Sequence, residues 1–115
     1  MSPLFDEAAF EAFKAELGVE DTIEALEIFL ADAADKLARL QARNADRPLI
    51  KMEAHAIKSS AGAFGFAEMS RLARELEPNA ATLEPAQLAQ RVEALRRSFE
   101  ATRALARKKL LAHRS

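Results

Sequence analysis

The side chains able to do covalent chemistry are few. The 115-residue chain has no cysteine and two histidines, His55 and His113, so thiolate chemistry, a disulfide frame and a Cys/His zinc site are excluded. His113 sits in a basic terminus with no lysine three residues later and reads as a surface tail or end-cap. His55 differs, because it opens the run His55-Ala-Ile-Lys58-Ser59-Ser60-Ala-Gly62. An exposed imidazole with a reference pKa near 6.5 is mostly neutral at cytosolic pH, so one ring nitrogen keeps a nucleophilic lone pair. A phosphoryl group on that nitrogen brings nearly two negative charges, which Lys58 one turn away partly neutralises. Spacing alone also allows an ordinary solvated histidine. Acid–base catalysis needs a pocket and an orienting second group, and a di-iron bundle needs Glu-x-x-His on two helices. A convex bundle face with one His and one Lys offers little of the former, and Glu53 and His55, two apart, do not make the latter.

A helix must position this face. At 100° per residue, with Ile50 at zero, Ala54, Ile57, Ala61 and Phe64 fall within about 40° of it and form an inward stripe. His55 lies about 140° away and points outward, with Ser59 and Gly62 within about 40° of it and Lys58 about 60° from it. A glycine in mid-helix costs about 1 kcal/mol relative to alanine. Small residues just past an exposed histidine clear the space that another protein's backbone needs to reach the ring.

The surrounding elements follow from apolar periodicity. An opening helix is expected from about Pro3 to Leu17, with Gly18 as its stop. A second runs from Asp21 to about Asn44 with Ile23, Leu26, Leu30, Ala33 or Ala34, Leu37 and Leu40 in one stripe. Ile28 falls nearly opposite that stripe, either packed on the opening helix or presented to a partner. The stretch from Asn44 to Pro48 reads as a turn, with Asp46 as N-cap of a third helix that ends at about Phe64 and Gly65. Met69, Leu72, Ala73 and Leu76 mark a fourth helix, which Pro78 should end or bend. A fifth starts near Pro85 and turns Leu88, Val92, Leu95, Phe99, Thr102 and Leu105 or Ala106 inward as far as a frayed tail. The phenylalanines read as core, Phe66 being the one expected to reach the surface near the site.

Composition agrees with helices. Alanine occurs 26 times and leucine 15, whereas Val, Ile and Thr together number nine, a mixture that favours helix over strand. The expected architecture is therefore all-α, an antiparallel up-down-up-down four-helix bundle with an additional short N-terminal helix, in one domain over residues 1–115. The longest uncharged stretch, Ser59 to Ala67, is nine residues, far short of a membrane span, and the acidic start is unlike a signal peptide. The expectation is a cytoplasmic protein. Net charge is −1 but unevenly spread: ten acids oppose Lys14 in residues 1–35, and eight Lys or Arg oppose Glu93 and Glu100 in residues 91–115. Opposite-sign helices lying side by side account for this, and a nucleic-acid or membrane role for the basic tail lacks aromatics or a large apolar face.

The run from His55 through Lys58, Ser59, Ser60, Gly62, Phe64 and Gly65, then Met69, Leu72 and Leu76-Glu77, resembles the histidine-containing phosphotransfer (HPt) family. The family's usual Gly after the Lys is Ser59 here, a residue still small whose hydroxyl bears on the phosphoryl group and on partner choice. The resemblance implies that His55 accepts a phosphoryl group on its distal ring nitrogen, that Lys58 helps hold it, and that Ser59 and Gly62 leave room for the partner. It implies response-regulator receiver domains and a histidine kinase system as partners, with Ile28 and Asp32 as docking contacts. No cofactor is implied, Mg²⁺ being supplied by the receiver domain. The chain lacks a Gly-rich phosphate loop and a kinase signature, so a carrier without ATP binding or autokinase activity, working as a monomer, is expected. The competing reading is an HPt-like helical adaptor that binds a signalling partner without carrying phosphate.

Overall fold

Apolar stripes become five α-helices in the computed structural model, which describes residues 4–42 and 46–110, with side chains as far as residue 108. These are α1 (Glu7–Leu17), α2 (Val19–Gln41), α3 (Arg47–Ala63), α4 (Ala67–Asn79) and α5 (Pro85–Leu105), followed by a π-helical turn at Ala106–Leu110. No strand occurs among the described residues. The four longer helices α2 to α5 form the bundle, and α1 packs on α2 and α3 at one end.

Local chemistry sets the boundaries. Asp6 caps α1 by accepting from the Ala9 amide at 3.1 Å, so that helix starts at Glu7 and not near Pro3, which itself lies outside the described residues. Gly18, with φ of +89°, both ends α1 and precedes α2. The second helix consequently begins at Val19, two residues earlier than its acidic start suggested, and it ends at Gln41, before Asn44. Asn44 and Ala45 of the expected turn lie outside the described residues. Asp46 caps α3 by accepting from the Leu49 amide at 2.8 Å, with Pro48 in the first turn. Pro48 loses no hydrogen bond there, because first-turn amides have no intrahelical partner. Pro78 sits in the last turn of α4 and the helix stops one residue later.

The core is close to the one periodicity predicts. Leu26, Leu30, Ala33, Leu37 and Leu40 of α2 are buried together with Ile50, Ala54, Ile57 and Ala61 of α3, Met69, Ala73 and Leu76 of α4, and Leu88, Val92, Leu95 and Phe99 of α5. Ala106 is also buried, as its place in the α5 stripe predicts, and a π-helical turn carries the backbone on to Leu110, the rest of the expected frayed tail lying outside the described residues. His113 lies beyond the described residues. The acidic α2 and the basic α5 do pack on one another. Within α5, however, Glu93 pairs with Arg96 and Arg97 of its own helix, and these neighbours, Arg96 foremost, lower its carboxyl to about 2. Exposed pairs of this kind add little to stability.

Phe66 departs from expectation. It is fully buried, not displayed near the site, because the turn after α3 folds it between Phe5, Phe29 and Phe64, with ring centroids 5.9, 5.5 and 5.8 Å away. Gly65, at φ +82°, makes that inward turn possible. A Cβ there would stand 2.4 Å from the Asp6 carbonyl oxygen, and the Asp6 amide donates to the Gly65 carbonyl at 2.6 Å. The α3–α4 turn and the cap of α1 are thus joined backbone to backbone. Phe66→Ala is expected to lower unfolding free energy by about 3–5 kcal/mol in urea denaturation, where a surface phenylalanine would change it by a few tenths.

Candidate functional site

Asp46 sets the start of α3, and the helical period then turns His55 outward while Ala54 and Ile57 on either side of it are buried. The His55 side chain is 60% exposed. Glu53, two residues earlier, takes the other flank: it is buried and accepts from Arg39 Nε of α2 at 2.7 Å. One carboxylate thus ties α3 to α2. A second ties it to α4.

That second carboxylate is Glu77. One of its oxygens lies 2.9 Å from His55 Nδ1, and the other accepts from Lys58 Nζ at 3.1 Å. A carboxylate has only acceptor capacity, so the contact places the ring proton on Nδ1 and leaves the lone pair on Nε2. Nε2 has no hydrogen-bond partner among the described residues. The Lys58 bond, with a smaller contribution from His55, holds the Glu77 carboxyl below its ordinary range, although partial desolvation pushes the other way. His55 and Lys58 are therefore joined through an acid that the site residues read from the sequence did not include. In the sequence the Leu76-Glu77 pair stands out only as part of a family pattern, and a partner 22 residues away leaves no periodic trace.

Small residues let α4 come this close. Gly62 is exposed, and a Cβ on it would meet Ser70 Oγ of α4 at 3.2 Å. Ser70 Oγ in turn donates to the Lys58 carbonyl at 3.0 Å. Gly62 thus narrows the gap between α3 and α4 as well as leaving the face beyond His55 open. Ser59 is exposed on that face. Met52, one turn before His55, is 59% exposed, an apolar neighbour the sequence reading passed over.

On α2, Ile28 is 63% exposed, so it is presented to solvent and not packed on α1. Asp32 is exposed and ion-paired with Lys36 of the same helix. Both sit on a helix that joins α3 through Arg39 and Glu53, on the flank away from Glu77. Among the described residues no group of three or more His, Cys, Asp or Glu is placed to hold a metal ion.

Glu77 has a lowered carboxyl in the folded chain, so its stabilising contribution is complete above the ordinary glutamate range and disappears as pH falls through the lowered value. Carboxyl-carbon NMR of Glu77 should accordingly titrate below a free glutamate. Lys58→Ala should move that midpoint up; no movement would remove Lys58 as its cause.

A family model described as Hpt domain matches residues 24–106. The crystal structure of histidine-containing phosphotransfer protein B (HptB) from Pseudomonas aeruginosa PAO1 is similar with a TM-score of 0.88 and 22% sequence identity, covering 99% of this chain and 100% of that one. At that identity the likeness speaks for the fold. No curated protein matches the chain in sequence.

Proposed function

The chain belongs to the Hpt domain family, and from that premise we propose that it is a phosphorelay intermediate of two-component signalling which carries the phosphoryl group on Nε2 of His55. The observation that carries this reading is an exposed ring whose Nδ1 faces a carboxylate at 2.9 Å, because that pairing turns the nucleophilic nitrogen toward solvent.

In the accepting step, the Nε2 lone pair attacks the phosphorus of an aspartyl phosphate on a receiver domain. The N–P bond forms as the P–O bond to the aspartate breaks, and the aspartate leaves as a carboxylate. The imidazole, now substituted on both nitrogens with its Nδ1 proton retained, carries a positive charge. Glu77 faces that charge and stabilises it, an electrostatic contribution already in position before the step begins. Delivery is the reverse: a receiver carboxylate attacks phosphorus and the electron pair of the N–P bond returns to Nε2.

Lys58 donates one of its three hydrogens to Glu77 and keeps two for phosphoryl oxygens. Ser59 and Gly62 leave the approach open, while Ile28 and Asp32 of α2 supply further docking contacts. Most of the acceleration comes from in-line positioning. Mg²⁺, which neutralises charge on the phosphoryl oxygens in such transfers, is assigned to the receiver's acidic pocket, and no cofactor of the chain's own enters the proposal. The chain is a carrier, one that neither binds ATP nor phosphorylates itself, and it meets receiver domains and a histidine kinase system in turn through a small, short-lived interface. It is read as a cytoplasmic monomer. Among the described residues no helix is long and apolar enough to cross a membrane.

Incubation with a phosphorylated receiver and Mg²⁺ is expected to give acid-labile label on the wild type and none on His55→Gln; equal labelling would remove His55, and stable binding without label would favour the adaptor. Glu77→Ala should slow transfer roughly 10- to 100-fold, the equivalent of one charge-assisted hydrogen bond. Lys58→Ala should shorten the lifetime of the phosphohistidine.

A further inference from the structure

The cations around His55 are not equally committed. Lys58 is taken up by Glu77, and Arg71 by Glu75 of its own helix at 3.0 Å. Lys51 and Arg74 are exposed, and among the described residues neither has an acidic partner. Their positions follow from the pairing of α3 with α4. His55 stands across from Glu77 and Gly62 across from Ser70, so the two helices run antiparallel and Arg74 falls opposite Lys58 and Ser59. Lys51 lies one turn before His55 on the same face of α3. The two unpaired charges therefore stand on either side of the imidazole, Arg74 across on α4 and Lys51 below on α3.

Other acids nearby do not cancel them. Glu77 carries one charge already opposed by Lys58, and Glu53 is turned to the far flank of α3, against Arg39. Asp6 lies past Gly65 and has its side chain in the cap of α1. Beyond Arg74 a shallow groove continues over Gly62, Gly65, Ser70 and Arg71 to Asp6, so the positive side of the site is open and floored by small residues.

Resting on the carrier reading above, we infer that Lys51 and Arg74 form an electrostatic gate that docks the acidic phosphoacceptor site of a receiver domain and sets which receivers react quickly. The partner follows from chemistry. A protein presenting an aspartyl phosphate and a hard divalent cation must surround them with carboxylate oxygens, and such a surface is attracted to two uncompensated cations on either side of the target nitrogen. Holding these side chains free of local acids keeps their charge available for an incoming partner, so the effect falls on association rate more than on the lifetime of the complex.

The test uses the full chain with Lys51→Gln, Arg74→Gln and the double variant. The probe is the receiver domain that labels the wild type fastest in a panel, charged with phosphoramidate and desalted, with Mg²⁺ present. The double variant is expected to accept label roughly tenfold more slowly at low salt, the gap closing at about 0.5 M salt as charges are screened. Diethyl pyrocarbonate, an uncharged reagent for imidazole nitrogen, should modify His55 at the same rate in every variant, read by mass spectrometry of the His55 peptide. Equal transfer rates at low salt would overturn the gate, as would a loss undiminished by salt or one matched by slower modification. A wild type that takes no label from any charged receiver would overturn the carrier reading itself, a different result from a variant that keeps pace with it.

Discussion

Everything at the reactive face depends on α4 lying close enough to α3 for one carboxylate to meet two side chains of the neighbouring helix. The approach is possible because position 62 has no Cβ, because Ser70 satisfies the Lys58 carbonyl with its hydroxyl, and because Gly65 turns the chain sharply between the helices. Had α4 stood an ångström or two further out, Glu77 would reach solvent before it reached His55. The ring would then rotate freely and divide its proton between both nitrogens. The orientation of the ring is thus a product of interhelical distance, and small side chains in the pair permit that distance.

The carboxylate also ranks the two cationic groups it touches. Lys58 is bound to it in the resting chain, so the ammonium is held near the histidine without being spent on a distant partner. On the carrier reading proposed above, a cationic ring strengthens the claim of His55 on Glu77 and leaves the lysine freer to turn toward phosphoryl oxygens. A single acid thus serves as orienting group for the resting ring and as counter-ion for the charged one.

Much of the fold was legible because helices declare themselves locally. The stripe Ile50, Ala54, Ile57 and Ala61 is buried as its spacing requires, and the outward aspect of His55 follows from the same arithmetic. The Asp46 cap was legible for the same reason, acting on an amide three residues away, whereas the Asp6 cap of α1, equally local, was not. Apart from the starts of α1 and α2, the features that could not be read join distant segments. Glu77 reaches across 22 residues, Arg39 finds Glu53 on another helix, and Phe66 is drawn inward by rings from α2 and from the segment before α1. Ile28 shows the converse. A position opposite an apolar stripe says where a side chain points relative to its own helix, and only the placement of α1 decides that nothing covers it.

The short backbone bond between Asp6 and Gly65 has a mechanical consequence. It fastens the leading segment to the corner about which the reactive hairpin bends, three residues past Gly62. With a Cβ at Gly65 excluded by the same Asp6 carbonyl, the start of the first helix and the corner between α3 and α4 share one backbone junction, so a substitution at either side is felt by both.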